Sequence, residues 1–235
     1  MDFRLTEEQE LIRSNMREFA LKYVEPIAVE LDETARYPRE VIEKLAEGGW
    51  MGMPFPVEYG GQGTDYLTYA IAVEELSRSC AATGFTMSVH TSLALMPIFN
   101  FGSEEQKKKY LTPLAKGEHI GAFALTEPGA GTDVGAATTT AVLDGDEYVL
   151  NGTKTFCSNG PVADTFVTFA WTDKSAGPKG MSSFIVSKGT PGLTIGSHMM
   201  KMGIRASQTS EVIFKDCRIP KANLLGSEGS GMKIA

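Results

Sequence analysis

The stretch ALTEPGAGTD is the part of the sequence whose residue types most readily suggest chemistry. Pro128, Gly129 and Gly131 allow the backbone to approach a flat ligand, and the N–H groups of such a loop can point at carbonyl oxygens. Glu127 and Asp133 make the loop acidic, which disfavours a phosphate ligand and is compatible with a neutral, hydrogen-bonding ring system. The same residues also fit an ordinary turn whose carboxylates cap local backbone N–H groups.

Cysteine and histidine are few and scattered. The odd number and wide spacing of the cysteines favour neither a disulfide framework nor a zinc cluster, and the histidines fall in no metal-ligand spacing. We therefore expect no metal site, and structural roles for all of these side chains. They are Cys80, Cys157, Cys217, His90, His119 and His198.

Length and composition indicate a globular chain of two domains. It has 235 residues, 42% of them hydrophobic, and a net charge of -7, which argues against nucleic acid as the main partner. No apolar run reaches the roughly 18–20 residues of a membrane span, and the N-terminal MDFRLTEEQE has no basic leader. These features predict a cytoplasmic protein without a membrane span.

The first half, to about Gly117, has helical periodicity. Thr6 and Gln9 form a predicted capping box, and apolar residues then recur at three- and four-residue steps. Further helices are predicted after Pro38, over about 65–78, and around the segment TMSVHTSLALMP. Ser103 and Gln106 form a second predicted capping box, which indicates that a helix begins there. We therefore interpret the three lysines that follow, KKK, as the solvent-exposed face of that helix.

After Gly121 the period changes to two, and short segments rich in β-branched and aromatic residues follow one another. Asp144-Gly145 and Asn151-Gly152 are predicted hairpin turns. Many short strands at this spacing predict a sandwich or a barrel. The final LLGSEGSGMKIA begins another helix with nothing to bury its apolar face, so we expect the intact protein to continue.

Several segments, in order, resemble those of the acyl-CoA dehydrogenase family, closest to its short-chain, butyryl-CoA type. They are DFRLTEEQELIR, PFPVEYGGQG, FGSEEQKKKYLTPLAKGE, AFALTEPGAGTD, LNGTKTFCSNG, KGMSSFIVSKGTPGL, KMGIRASQTSEVIFKDCRIP and LLGSEGSGMKIA. The resemblance implies an α+β multidomain fold, with an all-α domain over 1–119 and a flavin-binding β-barrel domain over 120–228. Residues 229–235 would begin a C-terminal four-helix domain that is absent from this chain.

The resemblance also implies the chemistry. The family reaction removes a proton from Cα of an acyl-CoA and passes a hydride from Cβ to N5 of FAD. Electron density that builds up on the flavin is stabilised by preorganised donors. By resemblance, the first flavin segment lines the isoalloxazine and its Leu125 and Thr126 hydrogen-bond the polar edge, while Thr132 also contacts the CoA thioester. The implied cofactor residues of this segment are Phe123, Ala124, Leu125, Thr126, Gly131 and Thr132.

The second implied flavin segment is Phe156, Cys157 and Ser158. The Ser158 hydroxyl would donate to N5 and Phe156 would pack against the ring. The commoner family pattern has Trp, an aliphatic residue and Thr, but Phe keeps an aromatic surface and Ser keeps a donor. We interpret Cys157 as a small buried hydrophobe. His90, in the helix that would wall the acyl pocket, is interpreted as a hydrogen-bonded core histidine.

The family's catalytic base is a glutamate of the C-terminal domain, so no catalytic residue is assigned within this chain. The implied partners of the intact protein are an acyl-CoA substrate, an electron-transferring flavoprotein and copies of itself in a homotetramer. The sequence is compatible with either direction of the reaction, dehydrogenation of the acyl-CoA or reduction of the enoyl-CoA. Two other classes of protein also fit the sequence. One is an acyl-CoA oxidase or another flavin-dependent relative, and the other is a non-catalytic binding module that keeps the fold without the base.

Overall fold

The computed structural model describes residues 4–235, in which helices come first and strands second. The first three residues of the predicted helical domain lie outside the described part. The first half contains α1 (Glu7–Phe19), α2 (Ala28–Thr34), α3 (Arg39–Glu47), α4 (Tyr66–Ser79), α5 (Ala81–Val89), α6 (Met96–Phe101), α7 (Glu104–Gln106) and α8 (Thr112–Ala115). Wider π-helical turns, Ala20–Val24, His90–Leu95 and Lys107–Leu111, continue α1, α5 and α7.

Local capping determines where the helices begin. The Thr6 hydroxyl accepts the Gln9 N–H at 3.2 Å, and the Gln9 side chain accepts the Thr6 N–H at 3.0 Å. The Ser103–Gln106 box has the same geometry. Asp65 caps α4 by accepting the Thr68 N–H at 2.7 Å. Both predicted capping boxes are therefore confirmed, because a cap needs only neighbouring residues.

The second half is a sheet of eight strands. They are β1 (Gly121–Ala124), β2 (Thr140–Asp144), β3 (Glu147–Ser158), β4 (Thr165–Trp171), β5 (Met181–Ser187), β6 (Leu193–Ile195), β7 (Thr209–Pro220) and β8 (Leu224–Leu225). Their hydrogen-bonded order is β6-β7-β3-β2-β4-β5-β8, with β1 parallel to β4. A short helix, α9 (Gly231–Ile234), follows.

The helical-then-strand fold class is confirmed, but the sheet of the described residues is not a closed barrel. Its order has two ends, and the strands there, β6 and β8, are only three and two residues long. Closure requires a continuous row of backbone hydrogen bonds between the first and last strands, and such short strands offer few.

The Asp144-Gly145 hairpin is confirmed, whereas the Asn151-Gly152 hairpin is wrong. Asp144 pairs with Glu147 across a two-residue loop in which Gly145 has φ of 62°. Gly152 lies inside β3 at an irregularity in the β3–β7 register, with φ of 152°. A Cβ on Gly152 would come within 2.3 Å of the Thr139 hydroxyl, so the glycine permits a close approach inside the sheet.

The two halves share a core. One apolar cluster joins helical residues, such as Leu95 and Leu114, to strand residues, such as Phe169 and Ile185. The strands are thereby packed directly against the helices, and β1 follows α8 at this junction. Within residues 4–235 no helix has the length and apolarity to cross a bilayer, and no group of three or more His, Cys, Asp or Glu could hold a metal ion.

Candidate functional site

The strand β1 leads into the predicted flavin loop, and its side chains alternate between two faces. Phe123 is half-buried and its ring lies 4.9 Å from that of Phe169. Ala122 and Ala124 point to the other side, into the core of the sheet. Ala124 can therefore offer a ligand its backbone but not its side chain, as expected from the two-residue period of a strand.

His90 supports the start of β1. Its Nδ1 accepts the Gly121 N–H at 3.0 Å, and its Nε2 donates to the Leu114 carbonyl at 3.0 Å. Burial lowers the pKa of this imidazole to about 4, so it is neutral at physiological pH. The interpretation of His90 as a core histidine with both nitrogens bonded is confirmed.

The two predicted flavin segments lie side by side. The Thr155 N–H donates to the Thr126 carbonyl at 2.8 Å, and the Cys157 thiol donates to the Phe123 carbonyl at 3.3 Å. Cys157 is 1% exposed, and burial raises the pKa of its thiol to about 12. It is the small buried hydrophobe that the sequence predicts.

An irregularity in β3 turns Phe156 out of the sheet. The β3–β7 register shifts between Lys154 and Cys157, and Phe156 has φ of 55°. Its side chain is 68% exposed, while Ser158 is half-buried. Bulges of this kind re-aim a side chain, and positive φ in a bulky residue stores backbone strain. The irregularity thereby leaves the aromatic ring of Phe156 exposed, on a strand whose neighbouring Thr155 is bonded to the loop that follows β1.

The loop itself is closed at its base and open along its outer side. Glu127 and Ala130 exchange two backbone hydrogen bonds of 3.0 Å around a two-residue turn. Gly131 and Thr132 are exposed, and a Cβ on Gly131 would meet no atom within 4 Å. We call the two segments that contain the predicted residues, 123–132 and 155–158, the wall. A cleft of about 600 Å³ lies elsewhere, between residues 101–110 and 221–226, and contains none of them.

This wall presents donors that the described part of the chain leaves without an acceptor. Within residues 4–235, the backbone N–H groups of Leu125 and Thr126 donate to no protein acceptor, and neither does the hydroxyl of Ser158. All three residues are half-buried. Free donors at an edge that also carries an exposed aromatic ring suit a flat group with hydrogen-bond acceptors along one side.

The sequence indicates only a loop carboxylate at Glu127, and the structure adds a buried partner, Lys154. Glu127 accepts the N–H groups of Thr138 and Thr139 at 2.6 and 3.0 Å, which lie 11 and 12 positions along the chain and not within the turn, where local capping would place them. It also accepts from Lys154 Nζ at 2.8 Å, and both side chains are buried. Burial alone would raise the pKa of Glu127, but these donors outweigh it and hold the pKa at about 2. The charge of Glu127 is thereby neutralised internally, whereas Asp133 lies exposed on the loop.

Two family models cover most of the chain: the acyl-CoA dehydrogenase N-terminal domain over residues 6–118 and the middle domain over residues 122–217. A relative from Clostridium acetobutylicum, named short-chain specific acyl-CoA dehydrogenase, is 57% identical over all 235 residues and is covered over 62% of its own length. The chain thus spans less than two thirds of that relative.

Solved structures give the same result. A chain in a structure of the electron transferring flavoprotein of Acidaminococcus fermentans is 54% identical, with a TM-score of 0.98. Butyryl-CoA dehydrogenase from Megasphaera elsdenii is 44% identical, with a TM-score of 0.96. Each alignment covers all of this chain and 62% of the other. The two matched domains, in this order and over this fold, show that the chain belongs to the acyl-CoA dehydrogenase family.

Proposed function

We propose that this chain forms the flavin wall of a short-chain acyl-CoA dehydrogenase that uses FAD, the cofactor that family membership implies. The observation that carries the proposal is the hydrogen-bonded pairing of Phe123 and Thr126 with residues 155–158, because these two segments carry the unpartnered donors and the exposed Phe156 ring. When bound there, FAD would supply the hydride acceptor for α,β-dehydrogenation of an acyl-CoA, or the hydride donor for the reverse reduction.

Each residue of the wall has a proposed task. The N–H groups of Leu125 and Thr126 bind the polar edge of the ring, because they are donors held on a fixed backbone. The Ser158 hydroxyl donates to N5, and Phe156 covers one face of the ring. The exposed Thr132 contacts the thioester end of the substrate.

Glu127 is excluded as the base that removes the Cα proton. Its carboxylate is buried, already accepts hydrogen bonds from Lys154, Thr138 and Thr139, and has a pKa of about 2. A general base needs access to the proton and a pKa nearer the working pH. No catalytic residue is therefore assigned among residues 4–235, and the proposed activity belongs to a longer protein.

The names of the relatives support a proposed substrate class and a proposed redox partner. The names of the Clostridium and Megasphaera proteins favour a short acyl chain such as butyryl, and the Acidaminococcus structure favours an electron-transferring flavoprotein as the redox partner. The direction of reaction is left open. A homotetramer and a cytoplasmic location stay predictions from the sequence.

The proposal is tested by titrating FAD into the complete natural chain and into the 235-residue chain, and by adding butyryl-CoA with an electron-accepting dye. We expect tight FAD binding and dye reduction by the complete chain, and weak binding without turnover by the 235 residues. Failure of the complete chain to bind FAD would overturn the proposal. Fast reoxidation of the reduced, ligand-bound enzyme by oxygen would instead indicate an oxidase.

A further inference from the structure

Beneath the proposed flavin wall lies an ion pair with unusual burial. The side chains of Lys154 and Glu127 are 0% and 3% exposed and 2.8 Å apart. In the Arg17–Glu75 pair of the helical half, by contrast, the arginine is 48% exposed. Removing two charges from water costs about as much as their attraction returns, so a buried pair is weak evidence of a contribution to stability. The contacts of this pair indicate a role other than stability.

The pair connects both flavin segments. Lys154 lies two residues before Phe156 on β3, and its Nζ donates to the Leu125 carbonyl at 3.1 Å as well as to Glu127. The neighbouring Thr155 N–H holds the Thr126 carbonyl at 2.8 Å. Three consecutive residues after β1 are thus tied to two consecutive residues of β3.

The Glu127 carboxylate also closes the loop from its far end. One oxygen accepts the Thr138 N–H and hydroxyl at 2.6 and 2.8 Å, and the other accepts the Thr139 N–H at 3.0 Å. The residues before and after the loop are therefore held by the same side chain. The Leu125 carbonyl shares its planar peptide group with the Thr126 N–H, so holding that carbonyl on Lys154 also fixes the direction of the free Thr126 N–H.

We propose that Glu127 and Lys154 are a positioning pair, which orients the N–H group of Thr126 toward the polar edge of the flavin. The pair touches neither substrate nor the reacting atoms and acts only through this backbone. The inference rests on the proposed FAD site.

The double variant Glu127→Gln with Lys154→Met removes both charges, keeps side chains of similar size and leaves no unpaired buried charge. In the FAD-reconstituted complete chain we expect at least a tenfold rise in the FAD dissociation constant and a changed flavin absorption spectrum. In the cofactor-free protein we expect at least tenfold faster amide exchange at Thr138, Thr139 and Thr155. That exchange measurement needs no flavin.

The matched control is Glu75→Gln, which removes another buried carboxylate, bonded to Arg17 at 2.7 and 2.9 Å, from the helical half. It should lower the melting temperature and leave the FAD dissociation constant unchanged. A weaker FAD affinity in this control, equal to that of the double variant, would mean that general destabilisation explains the effect and would overturn the proposal.

The remaining outcomes are equally decisive. A folded double variant that binds FAD within twofold of the unsubstituted protein overturns the positioning role. If the double variant does not fold, Glu127→Asp, which shortens the side chain and keeps its charge, takes its place with the same criteria. If the unsubstituted protein binds no FAD, the proposed function fails, and unchanged exchange at Thr155 would separately show that the pair does not hold the loop.

Discussion

Replacing Phe156 with glycine should weaken FAD binding more than it weakens the fold. Phe156 has φ of 55°, a backbone conformation that costs an L-residue about 1–2 kcal/mol and costs glycine nothing sterically. The greater flexibility of glycine in the unfolded chain offsets about 0.5–1 kcal/mol of the stability gained by relieving this strain. The backbone change by itself is therefore neutral to slightly stabilising.

The side chain accounts for the rest. Phe156 is 68% exposed, so about one third of an aromatic surface of roughly 200 Å² is buried, worth about 1.5 kcal/mol at 25 cal/mol per Å². Loss of that contact, set against the relief of strain, gives a fall in unfolding free energy of at most about 1.5 kcal/mol. Truncation of a fully buried phenylalanine costs about 3–5 kcal/mol.

FAD binding should respond more strongly. A flat ring that covers about half of the exposed surface of Phe156 would bury roughly 70 Å² of it, worth about 1.7 kcal/mol. Aromatic stacking adds about 0.5–1.5 kcal/mol. The sum corresponds to a loss of FAD affinity of roughly 40- to 200-fold, at about 1.4 kcal/mol for each factor of ten.

The assay compares urea unfolding of the cofactor-free protein with an FAD titration of the same variant. The control is Ala35→Gly, because Ala35 also has φ of 55° but lies at the end of α2; it should share the relief of strain and leave FAD affinity unchanged. An unchanged FAD dissociation constant in folded Phe156→Gly would refute the stacking role. A loss of stability above about 3 kcal/mol would show that the ring packs in the core.

Three further predictions concern single side chains. His90 has a folded-state pKa of about 4, below its unfolded value of about 6.5. Its contribution to stability is therefore complete above the unfolded pKa and is lost as pH falls toward 4, where the loss reaches about 3 kcal/mol. The variant His90→Gln should flatten the curve of unfolding free energy against pH. A curve of unchanged slope in that variant would contradict the assignment. Cys157, whose thiol is buried with a pKa of about 12, should react with a thiol reagent at least about 100-fold more slowly than the partly exposed Cys80, and equal rates would show that Cys157 is accessible. Ser158→Ala removes a hydroxyl without a protein partner in the described part of the chain, so the free energy of unfolding should change by less than about 0.5 kcal/mol. FAD affinity should fall about tenfold, the value of one hydrogen bond, and Ser158→Thr should restore it. Unchanged FAD affinity in the alanine variant would show that Ser158 is not part of the site.

The features that the sequence predicts correctly are those set by neighbouring residues. The capping boxes at Thr6 and Ser103 each need only the residue three positions on, and the Asp144-Gly145 hairpin needs only a turn between two strands. The change of period from helical to alternating separates the two halves for the same reason.

The errors concern contacts between distant residues. Asn151-Gly152 has the composition of a turn, yet Gly152 lies inside β3 because Thr139, thirteen positions earlier, approaches its Cα too closely for any side chain. The open sheet is likewise decided by which strands pair and by how short β6 and β8 are, and a list of strand-like segments contains neither fact. Pairing is a property of the whole sheet, whereas turn composition is local.

The candidate site contains features that neighbouring residues determine and features that depend on contacts between distant residues. Family resemblance places residues 123–132 and 156–158 at the flavin, and strand alternation is enough to predict that Ala124 faces inward while Phe123 does not. Alternation then fails in β3, where Lys154 and Thr155 are both buried and Phe156 is exposed, because the irregularity there adds a residue to one side of the ladder. Nothing local marks Lys154 as the partner of a glutamate 27 positions away. A lysine in a strand is ordinarily a solvent-facing residue, and only the tertiary structure shows that this one is buried, paired and bonded to the backbone on which the proposed flavin contacts depend.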